Sequence, residues 1–75
     1  MRSVRLDWLA AEAMTELPLE ARAAVRDLLA ETAGRPDWWP ASGGEEFAEV
    51  FGPSCWIVFV AHRDGIEVRD VGWLD

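Results

Sequence analysis

The run from Cys55 to Ala61 constrains the fold of this chain more than any other segment. Its seven residues are all apolar and mostly β-branched or aromatic, which is typical of a central β-strand covered on both faces. Asp64 and Gly65 follow it, and this dipeptide between apolar segments is a strong signal for a two-residue β-hairpin turn. The sequence therefore predicts a hairpin in which residues 55–61 pair with residues 66–74.

The position of this turn fixes which side chains share a face of the hairpin. With Asp64 and Gly65 as the two loop residues, Trp56 is expected directly opposite Trp73. The other residues expected on this face are Val58, Val60, His62, Glu67, Arg69 and Val71. We therefore expect the face to present aromatic and charged side chains toward solvent, a loop or a partner.

The opposite face of the hairpin is more uniformly apolar, and helices are expected to pack against it. Its members are Cys55, Ile57, Phe59, Ala61, Ile66, Val68 and Leu74. Asp70 is the one charge predicted on this face, and either a β-bulge or an exposed strand edge would accommodate it.

The first half of the chain supplies the helices that such a sheet needs. The predicted elements are a strand over 3–8, helices over 8–17 and 20–33, a loop over 35–44 and a strand over 47–51. Asp7 is the expected N-cap of the first helix, Pro18 separates the two helices, and Gly34 is the expected stop of the second. The predicted fold is α+β: an N-terminal strand, an antiparallel helix hairpin and a three-stranded antiparallel meander, with the helices on one face of the sheet. A single domain over 1–75 is expected.

Two adjacent tryptophans stand in the predicted loop. At least one of Trp38 and Trp39 is expected to cover the edge of a core that is too small to close itself. A binding role for the loop is the alternative.

The charge balance limits the kind of partner. The chain has 14 acidic residues against seven Arg and no Lys, a net charge of −7. Such a chain repels nucleic-acid phosphates and suits a basic protein surface. The single cysteine, Cys55, excludes an internal disulfide, and the longest apolar run is too short for a membrane span. We expect a cytoplasmic protein that binds a protein partner, not nucleic acid or a membrane.

Other chemistry receives little support from the residues. His62 and Glu67 could form a minor acid/base pair, although a solvated pair at the end of a hairpin is the simpler interpretation. Cys55 and His62 are predicted on opposite faces, so no metal site is expected, and no motif calls for a cofactor.

Four segments of the chain resemble the RelE/ParE superfamily of bacterial toxin proteins. They are Val4-Arg5-Leu6-Asp7-Trp8 before the first helix, the junction 17–22, the strand run 55–60, and Val68-Arg69-Asp70-Val71-Gly72 in the last strand. The resemblance implies a RelE/ParE-like fold, a toxin–antitoxin type system and an antitoxin-like partner.

The chain departs from this family at the basic positions. Members that cleave messenger RNA on the ribosome hold the scissile phosphate with basic residues on the exposed sheet face. Here Trp56 stands at the strand position of such an Arg, Trp73 and Leu74 follow Val-Gly in place of a basic pair, and the second strand carries acidic residues such as Glu49. No catalytic residue is therefore carried over.

The function expected from these observations is toxin-like action by protein–protein binding. The expected contact residues are Trp56, Trp73, Arg69, Trp38 and Trp39. One alternative is an acidic regulatory or interaction protein that shares only the fold. A second alternative is a ribosome-dependent mRNA endoribonuclease.

Overall fold

A computed structural model describes residues 3–74 and confirms the predicted class and order of elements. The elements are β1 (Ser3–Leu6), α1 (Trp8–Glu16), α2 (Leu19–Ala33), a short 3-10 helix (Pro36–Trp38), β2 (Ala48–Phe51), β3 (Cys55–His62) and β4 (Gly65–Trp73). Each predicted boundary lies within two residues of the observed one. The 3-10 helix lies inside the predicted loop.

The four strands form one mixed sheet in the order β1-β4-β3-β2. β2, β3 and β4 form the predicted antiparallel meander, and β1 pairs parallel to β4. A parallel pair needs a long crossover, which the two helices and the following loop provide. The local sequence pattern did not indicate which strand β1 pairs with.

Side chains form hydrogen bonds to backbone groups at both ends of α1. Asp7 caps α1 as predicted, because its Oδ1 accepts a hydrogen bond from the Ala10 N–H at 2.9 Å. At the other end of α1, Arg22 donates from Nε to the Met14 carbonyl at 2.9 Å and from Nη2 to the Thr15 carbonyl at 2.7 Å. Arg22 therefore ties the start of α2 to the end of α1.

α2 ends at Gly34, as predicted, but without the left-handed backbone that favours glycine. The φ angle of Gly34 is −82°, and its N–H donates to the carbonyls of Ala30 and Glu31. Its conformation is therefore open to any residue.

Both helices pack on the same face of the sheet, as predicted. The buried core consists of Ala10, Met14, Val25, Leu28, Leu29, Cys55, Ile57, Phe59, Ile66, Val68 and Val71. Phe59 is its largest fully buried side chain. The one buried polar side chain among the described residues, Thr32, donates to the Leu28 carbonyl at 2.7 Å. We call this side of the sheet the helix-covered face and the other side the open face.

The predicted turn between β3 and β4 is wrong by one position. The loop residues are Arg63 and Asp64, and Gly65 already pairs with His62 as the first residue of β4. Gly65 also pairs with Ser3 of β1, where a Cβ would overlap the Ser3 backbone. The glycine therefore allows β1 to approach β4, and it does not provide a left-handed turn residue.

A β-bulge changes the register in the middle of the hairpin. Phe59 pairs with Val68, whereas the preceding residue, Val58, pairs with Asp70, so Arg69 is the extra residue. The bulge moves Asp70 to the open face, where it is exposed, and this resolves the misplaced charge.

The predicted pairing of Trp56 with Trp73 is therefore also wrong. Trp56 pairs with Gly72, and Trp73 pairs with Cys55. The extra residue reverses the alternation of β4 beyond the bulge, which brings Val71 and Trp73 to the helix-covered face. Leu74, predicted in the core, is 61% exposed.

Candidate functional site

The open face combines aromatic and charged side chains from all four strands. By strand register it consists of Ser3, Arg5, Glu49, Phe51, Trp56, Val58, Val60, His62, Gly65, Glu67, Asp70 and Gly72, together with the bulge residue Arg69. Among the described residues, no helix packs on this side. Val60, Gly65 and Gly72 are nevertheless buried, so the other side chains of this face are the part of the sheet available for chemistry or contact.

The indole of Trp56 lies against the backbone of β4. Gly72 is directly opposite, and a Cβ at this glycine would overlap the ring at Cζ2 and Cε2. On the other side, Trp56 pairs with Phe51 of β2, which is 69% exposed. Trp56 and Phe51 are therefore cross-strand neighbours at one end of the open face.

Arg69 lies between two carboxylates and an aromatic ring. Its Nη2 is 3.8 Å from Glu67 Oε1, and its Nε is 3.9 Å from Asp7 Oδ2. The guanidinium carbon is 5.9 Å from the centre of the Phe47 ring. Within the part of the chain that is described, Arg69 Nε is buried without a hydrogen-bond partner. The bulge and the two carboxylates hold this arginine, although no short ion pair forms.

His62 and Glu67 meet as the sequence analysis expected. His62 Nε2 is 2.9 Å from Glu67 Oε1, and the two side chains are 29% and 26% exposed. They contact diagonally, since the direct partner of Glu67 in β3 is Val60. Glu67 thus contacts both His62 and Arg69.

A glycine loop closes over the His62 ring, a feature that the sequence analysis missed. Gly43 and Gly44 have φ angles of +121° and +79°, and both N–H groups donate to the Ala61 carbonyl. A Cβ at Gly44 would lie 2.8 Å from His62 Cε1. The adjacent glycines were the available signal, because only residues without a Cβ adopt these angles readily so close to a ring.

The other predicted contact residues lie away from the open face. Trp39 packs against the core and donates from Nε1 to the Thr32 carbonyl at 2.7 Å, so it covers the core edge as expected. Trp73 packs against the same core from the helix-covered face. Trp38 stacks with Arg35, whose guanidinium carbon is 4.7 Å from the ring centre. Trp56 and Arg69 are the two predicted contact residues that share the open face.

Trp38 also lines a groove between α2 and the turn that joins β2 to β3. The groove has a volume of about 450 Å³ and is lined by Ala24, Asp27, Leu28, Glu31, Trp38 and residues 51–55. The sequence analysis missed it, although residues 24, 27, 28 and 31 follow helical spacing along one side of α2. Cys55 lies at its base, where burial raises the pKa of the thiol.

The described residues contain no cluster suited to a metal ion. Across residues 3–74, no three His, Cys, Asp or Glu side chains converge. Neither α1 nor α2, nor any other helix in that range, has the length and apolarity needed to cross a membrane.

The comparison with solved structures identifies the arrangement of two helices on one face of a four-stranded mixed sheet as a RelE-like fold. The chain is similar to a chain in the crystal structure of the intact E. coli RelBE toxin–antitoxin complex, with a TM-score of 0.76. The match covers 100% of this chain and 99% of that chain at 16% sequence identity. No protein-family model and no curated protein matches the sequence. The fold implied by the sequence resemblance is therefore confirmed.

Proposed function

We propose that this chain is a toxin-like protein of a toxin–antitoxin type system that acts in the cytoplasm by binding another protein. Its single domain, residues 1–75, contacts that protein through the open face and does not cleave RNA. The RelE-like fold supports the first part of the proposal. The charge environment of Arg69 and His62 carries the second.

RNA cleavage on such a face needs cations that are free to hold a phosphate. Arg69 lies within 4 Å of Glu67 and Asp7, and His62 is hydrogen-bonded to Glu67. Arg5, the other basic side chain that the register places on this face, is exposed and stands opposite Glu67. Glu49 and Asp70 add further negative charge by register. A phosphate at Arg69 or His62 would have to displace a carboxylate, and one at Arg5 would approach Glu67, which argues against RNA as the ligand.

The same face has the residue types of a protein interface. Trp56 and Arg69 belong to the classes most often found as interface hot spots. The rings of Phe47 and Phe51 are 63% and 69% exposed. Exposed aromatic side chains grouped on one face are typical of a binding surface. The net charge of −7 favours a partner with a basic surface, either an antitoxin-like protein or the target itself.

A growth assay with two tryptophan variants tests this proposal. Induced expression of the wild-type chain in a bacterial host should arrest growth, and Trp56→Ala should relieve the arrest because the contact surface is lost. Trp8→Ala is the matched control, since Trp8 is 73% exposed at the start of α1 and lies outside the open face. Thermal melts of both variants separate loss of contact from loss of fold.

Two outcomes would contradict the proposal. Harmless expression of the wild-type chain would favour an acidic regulatory protein that shares only the fold. Equal relief by both tryptophan variants, with both folded, would remove the open face from the mechanism.

A further inference from the structure

The groove between α2 and the β2–β3 turn has no role in the proposed function. One wall is the stripe of α2 that contains Asp27, Leu28 and Glu31, and the other is the turn 51–55. Gly52 keeps the walls close, because a Cβ there would lie 3.2 Å from Cys55 Sγ and 3.6 Å from Leu28 Cδ2. Its volume of about 450 Å³ is within the range of ligand-binding clefts, roughly 300–1,000 Å³.

The lining of the groove is apolar at the sides and acidic along α2. Leu28, Trp38, Phe51 and Pro53 supply apolar surface, whereas Asp27 and Glu31 are exposed carboxylates one helical turn apart. Among the described residues that form the lining, none is basic. These carboxylates therefore have no cation within the groove itself.

Two arginines lie near these carboxylates along the chain. Arg26, which precedes Asp27 on α2, is exposed and does not line the groove, and Arg35 is already engaged. Arg35 stacks on Trp38 and pairs with Asp37 at 3.4 Å between Nε and Oδ1. That ion pair lowers the pKa of the Asp37 carboxyl, so Arg35 already has an acidic partner outside the groove. Because neither arginine lines the groove, Asp27 and Glu31 are open to an external cation there.

We infer that this groove binds a basic segment of a partner protein, with an Arg or Lys side chain beside apolar residues. The cationic head lies between Asp27 and Glu31, and its aliphatic stem lies along Leu28. Neighbouring apolar side chains contact Phe51 and Pro53. Charge complementarity selects this occupant over a second copy of the chain, because two chains of net charge −7 repel each other.

The groove is a surface separate from the one around Trp56, and Phe51 alone borders both. The inference therefore goes beyond the proposed function and does not depend on the growth assay. Binding at the groove should persist in the Trp56→Ala variant, which distinguishes failure of one proposal from failure of the other.

A library of random 12-residue peptides, displayed on phage and selected on the immobilised full chain, tests the inference. Enriched peptides should combine Arg or Lys with Leu, Ile, Phe or Trp. One enriched peptide is then synthesised with a fluorescent label, and its Kd is measured by anisotropy against wild type and two double variants. Asp27→Asn with Glu31→Gln removes the groove carboxylates. Glu12→Gln with Glu16→Gln is the control, because it makes the same change of net charge at the same spacing on α1.

The groove variant should weaken the Kd by about fivefold or more, whereas the control should stay within about twofold, because exposed charge pairs act over short range. The Trp38 indole N–H signal should also shift when the labelled peptide binds. No enrichment, enrichment of peptides without basic residues, or equal weakening in both double variants would overturn the inference. A concentration-dependent dimer that excludes the peptide would assign the groove to a second copy instead.

Discussion

The two faces of the sheet differ in burial and charge, although they share the same strands. On the helix-covered face, Ile57, Phe59, Ile66 and Val68 are fully buried against two helices. The open face instead carries a tryptophan against a glycine, a bulged arginine and a histidine hydrogen-bonded to a glutamate. The first face can be explained by packing alone, whereas the second holds charged groups that packing does not need.

The difference teaches where stability and function lie in so small a chain. Burial of apolar area on one side supplies most of the folding free energy. The other side holds an arginine whose buried Nε has no hydrogen-bond partner among the described residues, an arrangement that costs stability. A costly feature on the face that does not hold the fold together fits a surface kept for contact.

The largest expected difference between the faces comes from the same substitution made on each. Phe59→Ala should lower the free energy of unfolding by about 3–5 kcal/mol, because it opens a cavity in the core. Phe51→Ala should lower it by less than about 1 kcal/mol, because that ring is mostly exposed. Urea denaturation of both variants checks the comparison. Similar losses of unfolding free energy in the two variants would show that the open face stabilises the fold as much as the helix-covered face does.

A smaller effect is expected where the open face is tightly packed. Gly72→Ala should cost about 1–3 kcal/mol, because the added Cβ overlaps the Trp56 ring. Adding Trp56→Ala to this variant should recover part of the loss. Gly34→Ala is the control, since its Cβ would have ordinary contacts beginning at 3.5 Å, and it should be neutral or mildly stabilising. Unchanged stability of Gly72→Ala would rule out the observed position of the indole.

The charged part of the open face should contribute still less. Arg69→Met should change the free energy of unfolding by less than about 1 kcal/mol, because its ion pairs are long and partly exposed. Arg22→Met should cost more, about 1–2 kcal/mol, because Arg22 donates to two carbonyls at the end of α1. Chemical denaturation ranks the two variants, and the reverse ranking would make Arg69 a structural residue.

The smallest effect concerns the exposed Arg35–Asp37 pair, which lies outside both faces. Its arginine holds the pKa of the Asp37 carboxyl below the usual range of an aspartate. The contribution of this pair to stability is therefore present above the unfolded-state pKa and is lost as the pH falls through the folded-state pKa. Carboxyl NMR titration should show the low pKa in wild type and a higher one in Arg35→Gln. An Asp37 pKa in the usual range of an aspartate in wild type would show that the pair does not form.

Sequence reasoning succeeded where a pattern reports local structure. The stripe of α2, the N-cap at Asp7 and the central run 55–61 are read from residue spacing, and the observed elements follow them closely. The helix-covered face near the turn, with Phe59 and Val68, was also assigned correctly.

The errors arose where a long-range contact decides the local geometry. Gly65 indicated a turn, but its role is to allow β1 to pass beside it, and the parallel pairing of β1 is not encoded in the hairpin sequence. Asp70 indicated either a bulge or an exposed strand edge, and the structure has the bulge. Because the bulge position at Arg69 was not fixed by any local signal, the side of Trp73 was wrong. Gly72, which lies opposite Trp56, indicated that the indole lies over position 72, and this signal was missed.

Ribosome-dependent cleavage of messenger RNA is the most direct test of the central claim that the open face binds protein and does not process RNA. The purified chain is incubated with translating ribosomes, and cleavage is mapped by primer extension. We expect no cleavage above the level seen without protein, because Glu67 and Asp7 lie within 4 Å of Arg69 and Glu67 is hydrogen-bonded to His62. Cleavage by the wild-type chain that disappears in folded His62→Ala or Arg69→Ala would contradict it and make the open face a nuclease site.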